Sequence, residues 1–193
     1  MTLLEATQGL FGAWRLLHFD RSGLQYFKTS PRAFWNSFWA AAVVLPADAI
    51  ATLLFTTEEA GTSISVTNAV HASLIYLEIY AFQWLLFPLV IAAFAESILR
   101  SERFVLFIVA WNWSSIVRAV IILPAVAIFA GQGVDTAGWG AAIYLAATAV
   151  TLVYSWFIAR AALDAPPVAA VMVVLLEIGL AVLLWGLARF LIG

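Results

Sequence analysis

The sequence predicts an all-α fold, a polytopic membrane helix bundle of five transmembrane helices with an N-terminal amphipathic surface helix. Three observations support this prediction. Of the 193 residues, 65% are hydrophobic and only 10% are charged, whereas ordinary soluble domains contain about 25% charged residues. Five apolar stretches reach the roughly 20 residues that a helix needs to cross a bilayer. The linkers between them are short, and most of the charged residues lie in these linkers or ahead of the first span.

Residues 1–32, ahead of the first span, form an N-terminal segment in which polar and apolar residues are mixed. Leu3, Leu10 and Trp14 recur within it at helical spacing, together with Thr7 and Leu17. This pattern is typical of an amphipathic helix that lies on the membrane surface. Packing of the same helix against the protein's own core explains the pattern equally well.

Residues 33–193 form a single transmembrane domain, because no linker is long enough for a second one. Pro31 after Ser30, and Pro167 after Pro166, are typical of helix starts. In chain order, the predicted spans are 33–55, 69–99, 104–130, 139–162 and 167–192.

The distribution of basic residues predicts the orientation of the chain. Those on one side of the predicted membrane are Arg15, Arg21, Lys28, Arg32, Arg100, Arg103 and Arg160. The loops on the other side carry Glu58, Glu59 and Asp135 instead. By the positive-inside rule, we expect the N-terminus in the cytoplasm and the C-terminus on the far side.

Several function classes have no support in the sequence. The chain contains no cysteine, and its two histidines lie far apart, so we expect no metal site and no thiol nucleophile. None of the common nucleotide-binding or hydrolase motifs occurs. The net charge of −2 gives no reason to expect nucleic acid. We therefore expect a protein without cofactor that is not an enzyme and whose surroundings are the lipid bilayer.

Charged residues inside the spans are the strongest candidates for a functional site. Asp48, Glu78 and Arg118 lie on three spans, at roughly 10–16 Å of helical rise from the far-side helix ends. We predict that Arg118 pairs with Glu78, with Asp48, or with both. His71 lies two turns from Glu78 on the same side of its helix. These four residues are the first candidate polar cluster.

A second polar layer is predicted deeper in the membrane, near ~21–25 Å by the same rise. Its members are Glu177, Gln83, Asn112 and Ser155. Glu177 has no evident cationic partner in the sequence. Gly179 and Gly186, two turns apart, would allow another helix to approach closely.

Three interpretations of the intramembrane polar residues stay open. They are a clasp that fixes which helices touch, a pathway for a proton or solute, and a site that receives another membrane protein. A clasp would not need three acids for one base, so the excess carboxylates favour a function.

The layout resembles that of a known family. The segment SPRAFWNSFWAAAVVLP enters the first of five spans, with Pro31 and Phe34 at the positions of a Pro-x-x-Phe motif. In this respect the chain resembles the bacterial branch of the Yip1 family of five-span membrane proteins. The resemblance implies a non-enzymatic multi-pass protein of the cell inner membrane, and it assigns a role to no particular residue.

Two functional hypotheses follow. The first is a scaffold, adaptor or accessory subunit for another membrane protein, with self-association as a further form of partnership. The second is a small proton- or solute-coupled transporter or channel that uses the intramembrane charges.

Overall fold

A computed structural model describes residues 2–56, 66–95, 103–131 and 138–192, and helices account for nearly all of these residues. No β-strand occurs within those ranges. The α-helices there are α1 (Leu3–Leu17), α2 (Pro31–Ser37), α3 (Trp39–Thr56), α4 (Val66–Ala95), α5 (Phe104–Ala130), α6 (Trp139–Leu163) and α7 (Pro167–Ile192), with a 3₁₀ helix at Arg21–Tyr26. Residues 96–99 of the predicted second span lie outside the described residues, as do the loop charges Glu58, Glu59, Arg100 and Asp135.

Five stretches are long and apolar enough to cross a membrane, which confirms the predicted fold of an integral membrane protein. They are Pro31–Leu54, Val70–Phe94, Phe104–Ala130, Trp139–Leu163 and Pro167–Leu191. The first of them consists of two helices, because the backbone breaks at Phe38 between α2 and α3. Ser30 caps α2 through its hydroxyl, which accepts from the backbone N–H of Ala33, and Pro31 occupies the first turn as predicted.

The five spans surround a central space. Helix α5 packs between α3 and α6, α6 packs on α7, and α7 packs on α4. Two tyrosines of α4 close this ring by reaching across to α3. The hydroxyl of Tyr76 donates to Asp48 and that of Tyr80 donates to the carbonyl of Ala41, each at 2.7 Å.

The main hydrophobic core lies at the end of the bundle that carries α1, which we call the α1 end. It includes Phe87 and Ile91 of α4, residues 107–111 of α5 and much of the last three turns of α6. Burial here is close to complete, as in the interior of a soluble protein. The other half of the bundle contributes fewer buried side chains.

Helix α1 has one face on the protein and another directed outwards. Gly9, Gly12, Ala13 and Leu16 are buried, and the helix packs against α5 and α6. The exposed face carries large apolar side chains, Leu3, Leu4, Leu10, Phe11 and Trp14. The face of α1 with small residues therefore packs on the protein core. The opposite face has the exposed apolar side chains that are typical of a helix at a membrane surface.

Arg15 and Asp20 fix the turn between α1 and the 3₁₀ helix. Asp20 caps the 3₁₀ helix by accepting from the hydroxyl and the backbone N–H of Ser22, and it also accepts from Arg15 Nε at 2.7 Å. The hydrogen bonds from Ser22, followed by that from Arg15, lower the pKa of Asp20 to about 2. Asp20 consequently stays ionised and paired at any physiological pH.

Tyr154 ties α1 to the bundle. Its side chain is only 1% exposed, and its hydroxyl donates to the carbonyl of Ala13 at 2.7 Å and lies 2.9 Å from Ser114 Oγ. We expect Tyr154→Phe to destabilise the docked α1 by about 1 kcal/mol, because two buried partners lose a hydrogen bond. Faster hydrogen exchange of the α1 amides would report this loss. Tyr80→Phe, which removes a hydroxyl between α3 and α4, should leave α1 protected; equal exposure of α1 in both variants would contradict the assignment.

Candidate functional site: a polar cavity within the membrane spans

A cavity of about 350 Å³ lies between the five spans, and α3, α4, α5, α6 and α7 all contribute to its wall. A molecule of liquid water takes about 30 Å³, so the space is large enough for several waters or for a small solute. The polar side chains of the wall are Asp48, Tyr80, Gln83, Asn112, Ser115, Arg118, Thr151, Ser155 and Glu177.

Arg118 and Glu177 form an ion pair in this wall. Nη1 of Arg118 lies 2.5 Å from Oε1 of Glu177 and donates to Ser155 Oγ at 3.0 Å. Nη2 donates to Ser115 Oγ at 2.7 Å. The guanidinium carbon also lies 4.5 Å from the centre of the Trp111 ring, within the range of a cation–π contact. One arginine therefore connects α5, α6 and α7.

The predicted pairing of Arg118 with Glu78 or Asp48 is wrong, and so is the absence of a cationic partner for Glu177. An arginine side chain leans towards the N-terminus of its own helix. Because α5 begins at the α1 end, this brings the guanidinium about one turn closer to the level of Glu177 and Ser155.

The two predicted polar clusters differ in how many of their members line the cavity. All four members of the second layer line the cavity, namely Glu177, Gln83, Asn112 and Ser155. Of the first cluster, Asp48 and Arg118 line it. Glu78 and His71 do not: both are exposed on α4. Glu78 precedes the cavity residue Tyr80 by two residues, which at 100° per residue places it on the opposite side of the helix from the cavity.

Asp48 is the cavity carboxylate that lacks a cationic partner. Its Oδ2 accepts from the Tyr76 hydroxyl at 2.7 Å. Among the residues that the structure describes, no arginine, lysine or histidine forms an ion pair with it. A neutral donor satisfies the hydrogen-bonding capacity of a carboxylate in part and leaves its charge uncompensated.

Aromatic side chains form the wall on the α4 side. The rings of Tyr76, Tyr80 and Trp84 follow one another along α4 with centroids 6.2 and 6.1 Å apart. Phe87 stacks on Trp111 at 4.9 Å, and both residues belong to the core as well as to the cavity wall. The core therefore closes the cavity towards the α1 end.

Sequence reasoning missed Tyr76 and Tyr80, although a signal for them exists. Tyr76, Tyr80, Gln83 and Phe87 follow the spacing i, i+4, i+7, i+11, which places them on one face of α4. The strongly apolar composition of this span makes that face hard to distinguish in the sequence from the faces directed towards lipid.

The donor set of the cavity does not match a metal site. Within the described residues, no group of three or more His, Cys, Asp or Glu side chains lies close enough to hold a metal ion. Hard cations such as Ca²⁺ require six or more oxygen ligands with carboxylates among them, whereas the described wall offers one unpaired carboxylate, with neutral amide and hydroxyl groups and aromatic rings around it.

The comparisons with known proteins give no relative to add to this geometry. No family model, no curated protein and no solved structure matches the chain.

Proposed function

We propose that this integral membrane protein takes a small polar solute into its intramembrane cavity and works as a small transporter or channel. The observation that carries the proposal is the cavity of about 350 Å³ at mid-span, with Asp48, Arg118 and Glu177 in its wall. Ionisable groups within membrane spans are costly and usually face a partner or a water-filled cavity on a substrate or ion pathway. The clasp formed by Arg118 uses only one of the two cavity carboxylates, which leaves Asp48 for a solute.

The proposed transport first requires that water enters the cavity. Labelling of single introduced cysteines can test this, because the natural sequence contains no cysteine. Ala119 lines the cavity, whereas its neighbour Val120 is 69% exposed on the outside of α5. We expect Ala119→Cys to react with a water-soluble methanethiosulfonate, because the reactive thiolate forms only in water. Val120→Cys, at the same depth but towards lipid, should react at least about tenfold more slowly on this ground.

Applying the reagent to either side of oriented vesicles then separates the two modes. A transporter with the core closing one end should be labelled from one side, and a channel from both. If Ala119→Cys is as unreactive as Val120→Cys from either side, the cavity holds no accessible water and the proposed transport is wrong.

A second candidate, the scaffold, adaptor or accessory subunit, is favoured by Glu78. This side chain is exposed on the outer side of α4, where hydrocarbon would otherwise surround it at a cost. Another membrane protein with a hydrogen-bond donor at that depth would stabilise it. Native mass spectrometry of gently extracted protein tests this: a stoichiometric second protein that is lost in Glu78→Gln supports the adaptor, and a second copy indicates self-association.

We further infer that the α1 end lies in the cytoplasm of a bacterial cell, with the protein in the inner membrane. The support is the distribution of lysine and arginine in the sequence, of which Arg15, Arg21, Lys28, Arg32, Arg103 and Arg160 lie within the described residues. Membership of the Yip1 family and the absence of enzymatic activity stay predictions from the sequence.

A further inference from the structure

The charged groups of the cavity wall do not balance. Among the described residues of the wall, Asp48 and Glu177 carry two negative charges when ionised, and Arg118 carries the single positive charge. Arg118 is committed to Glu177 at 2.5 Å, so the uncompensated charge belongs to Asp48. A cation, or a proton on Asp48, has to neutralise it, because an isolated carboxylate is strongly disfavoured away from bulk water.

The aromatic wall selects among the cations that could do so. Tyr80, Trp84 and Phe87 line the same cavity as Asp48, and the row of rings begins at Tyr76, the residue whose hydroxyl contacts the Asp48 carboxylate. Faces of aromatic rings attract organic ammonium groups, whose charge is spread over carbon-bound hydrogens. The face of Trp111 is already used by the Arg118 guanidinium at 4.5 Å, which shows the same chemistry within the protein itself.

Inorganic cations fit the wall less well. A metal ion loses its hydration shell only where several oxygen ligands replace it, and within the described residues only Asp48 offers an unpaired carboxylate to the cavity. An organic ammonium ion is satisfied by one carboxylate and surrounding rings. The space of about 350 Å³ also exceeds what a bare metal ion requires.

We propose that the solute is a small organic cation, an ammonium compound whose charge pairs with Asp48 while its apolar groups contact Tyr80, Trp84 and Phe87. This inference rests on the proposed function, since it names the substrate class of the same cavity.

The test compares three molecules of nearly equal shape by calorimetry, with the full-length protein in lipid nanodiscs. Choline is the cation, 3,3-dimethyl-1-butanol is its neutral analogue, and 3,3-dimethylbutanoate is its anionic analogue. We expect choline to bind at least about tenfold more tightly than either analogue, a factor that corresponds to about 1.4 kcal/mol. Asp48→Asn should reduce that preference to roughly twofold or less, because the amide still accepts from Tyr76 but carries no charge.

Glu78→Gln is the matched control, since it removes a carboxylate from the membrane spans at a site outside the cavity. The preference for choline should survive this change. Loss of the preference in both variants, or in neither, overturns the assignment to Asp48.

The failure of this inference can be told apart from failure of the proposed function. If the neutral or the anionic analogue binds as tightly as choline, the cationic substrate class is wrong, while a solute-binding cavity stands. If none of the three binds, the cationic class is equally wrong, and the labelling of Ala119→Cys decides separately whether the cavity takes in aqueous solutes at all.

Discussion

Arg118→Met is expected to lower the free energy of unfolding by about 3–5 kcal/mol, the usual cost of removing one partner of a buried ion pair. The side chains of Arg118 and Glu177 are only 15% and 23% exposed, and both line the cavity, so cavity water can offset only part of the missing charge. The change also removes the donors to Ser115 and Ser155. Reversible unfolding in mixed detergent micelles, monitored by circular dichroism, measures the effect.

Two further variants separate the ion pair from its surroundings. Arg118→Met combined with Glu177→Met should recover to within about 1–2 kcal/mol of the natural protein, because a paired apolar replacement leaves no buried charge. Ser155→Ala alone removes one hydrogen bond and should cost about 1 kcal/mol. If Arg118→Met unfolds like the natural protein, the pair does not stabilise the bundle and the clasp interpretation fails.

The outcome also bears on which cavity group is available for a solute. A large loss in Arg118→Met would mark the pair as a structural connection between α5 and α7. Asp48 would then be the carboxylate whose charge the fold does not need, because a neutral hydroxyl is its partner in the described structure. Structural and functional interpretations of the polar residues therefore apply to different side chains of one cavity.

The fold could be predicted largely from composition, because a bilayer imposes a length and an apolar character on each span. The positions of the five spans follow from that constraint. The break at Phe38 between α2 and α3 could not be predicted in this way, since no proline or glycine lies near it and only Asn36 and Ser37, just before it, interrupt the apolar sequence.

Counting the helical rise along the sequence predicts how deep a residue lies in the membrane, but not which side of its helix it occupies. Rise per residue predicts one level for Glu177, Gln83, Asn112 and Ser155, and all four line the cavity. The same counting grouped Glu78 with Asp48, although Glu78 is exposed on the outer side of α4. Depth says nothing about which side of a helix faces its neighbours, and a long arginine reaches a level one turn from its own Cα.

The prediction that Gly179 and Gly186 allow close helix packing fails for a similar reason, because the sequence does not show which side of a helix faces its neighbours. Among the residues that the structure describes, a Cβ added at Gly179 or at Gly186 would meet no atom within 4 Å, so neither glycine mediates a close approach between these helices of the chain. The close approach occurs in the N-terminal region, where Gly12 and Gly23 bring α1 against the 3₁₀ helix. The sequence pattern of α1 is compatible with a membrane surface and with the protein core, so it does not predict this glycine contact.

Gly23→Ala is expected to destabilise the docked N-terminal region by about 1–3 kcal/mol, the usual cost of overpacking. The added Cβ would lie 2.6 Å from the carbonyl oxygen of Gly12, and a backbone atom cannot move aside as a flexible side chain does. Helix α1 and the 3₁₀ helix must therefore separate, which disturbs the contact of α1 with Tyr154 and α5. Hydrogen exchange of the α1 amides, together with the unfolding free energy, measures the change.

Gly179→Ala is the control, because the same methyl group on α7 enters open space. That variant should be neutral or more stable by about 0.4–1 kcal/mol, since alanine restricts the unfolded chain. A selective loss of α1 protection in Gly23→Ala would show that backbone contact between Gly12 and Gly23 holds the N-terminal region on the bundle. Equal behaviour of the two variants would mean that α1 is held by the buried side chains of Ala13 and Leu16 and by Tyr154, and that the contact between Gly12 and Gly23 contributes nothing to docking.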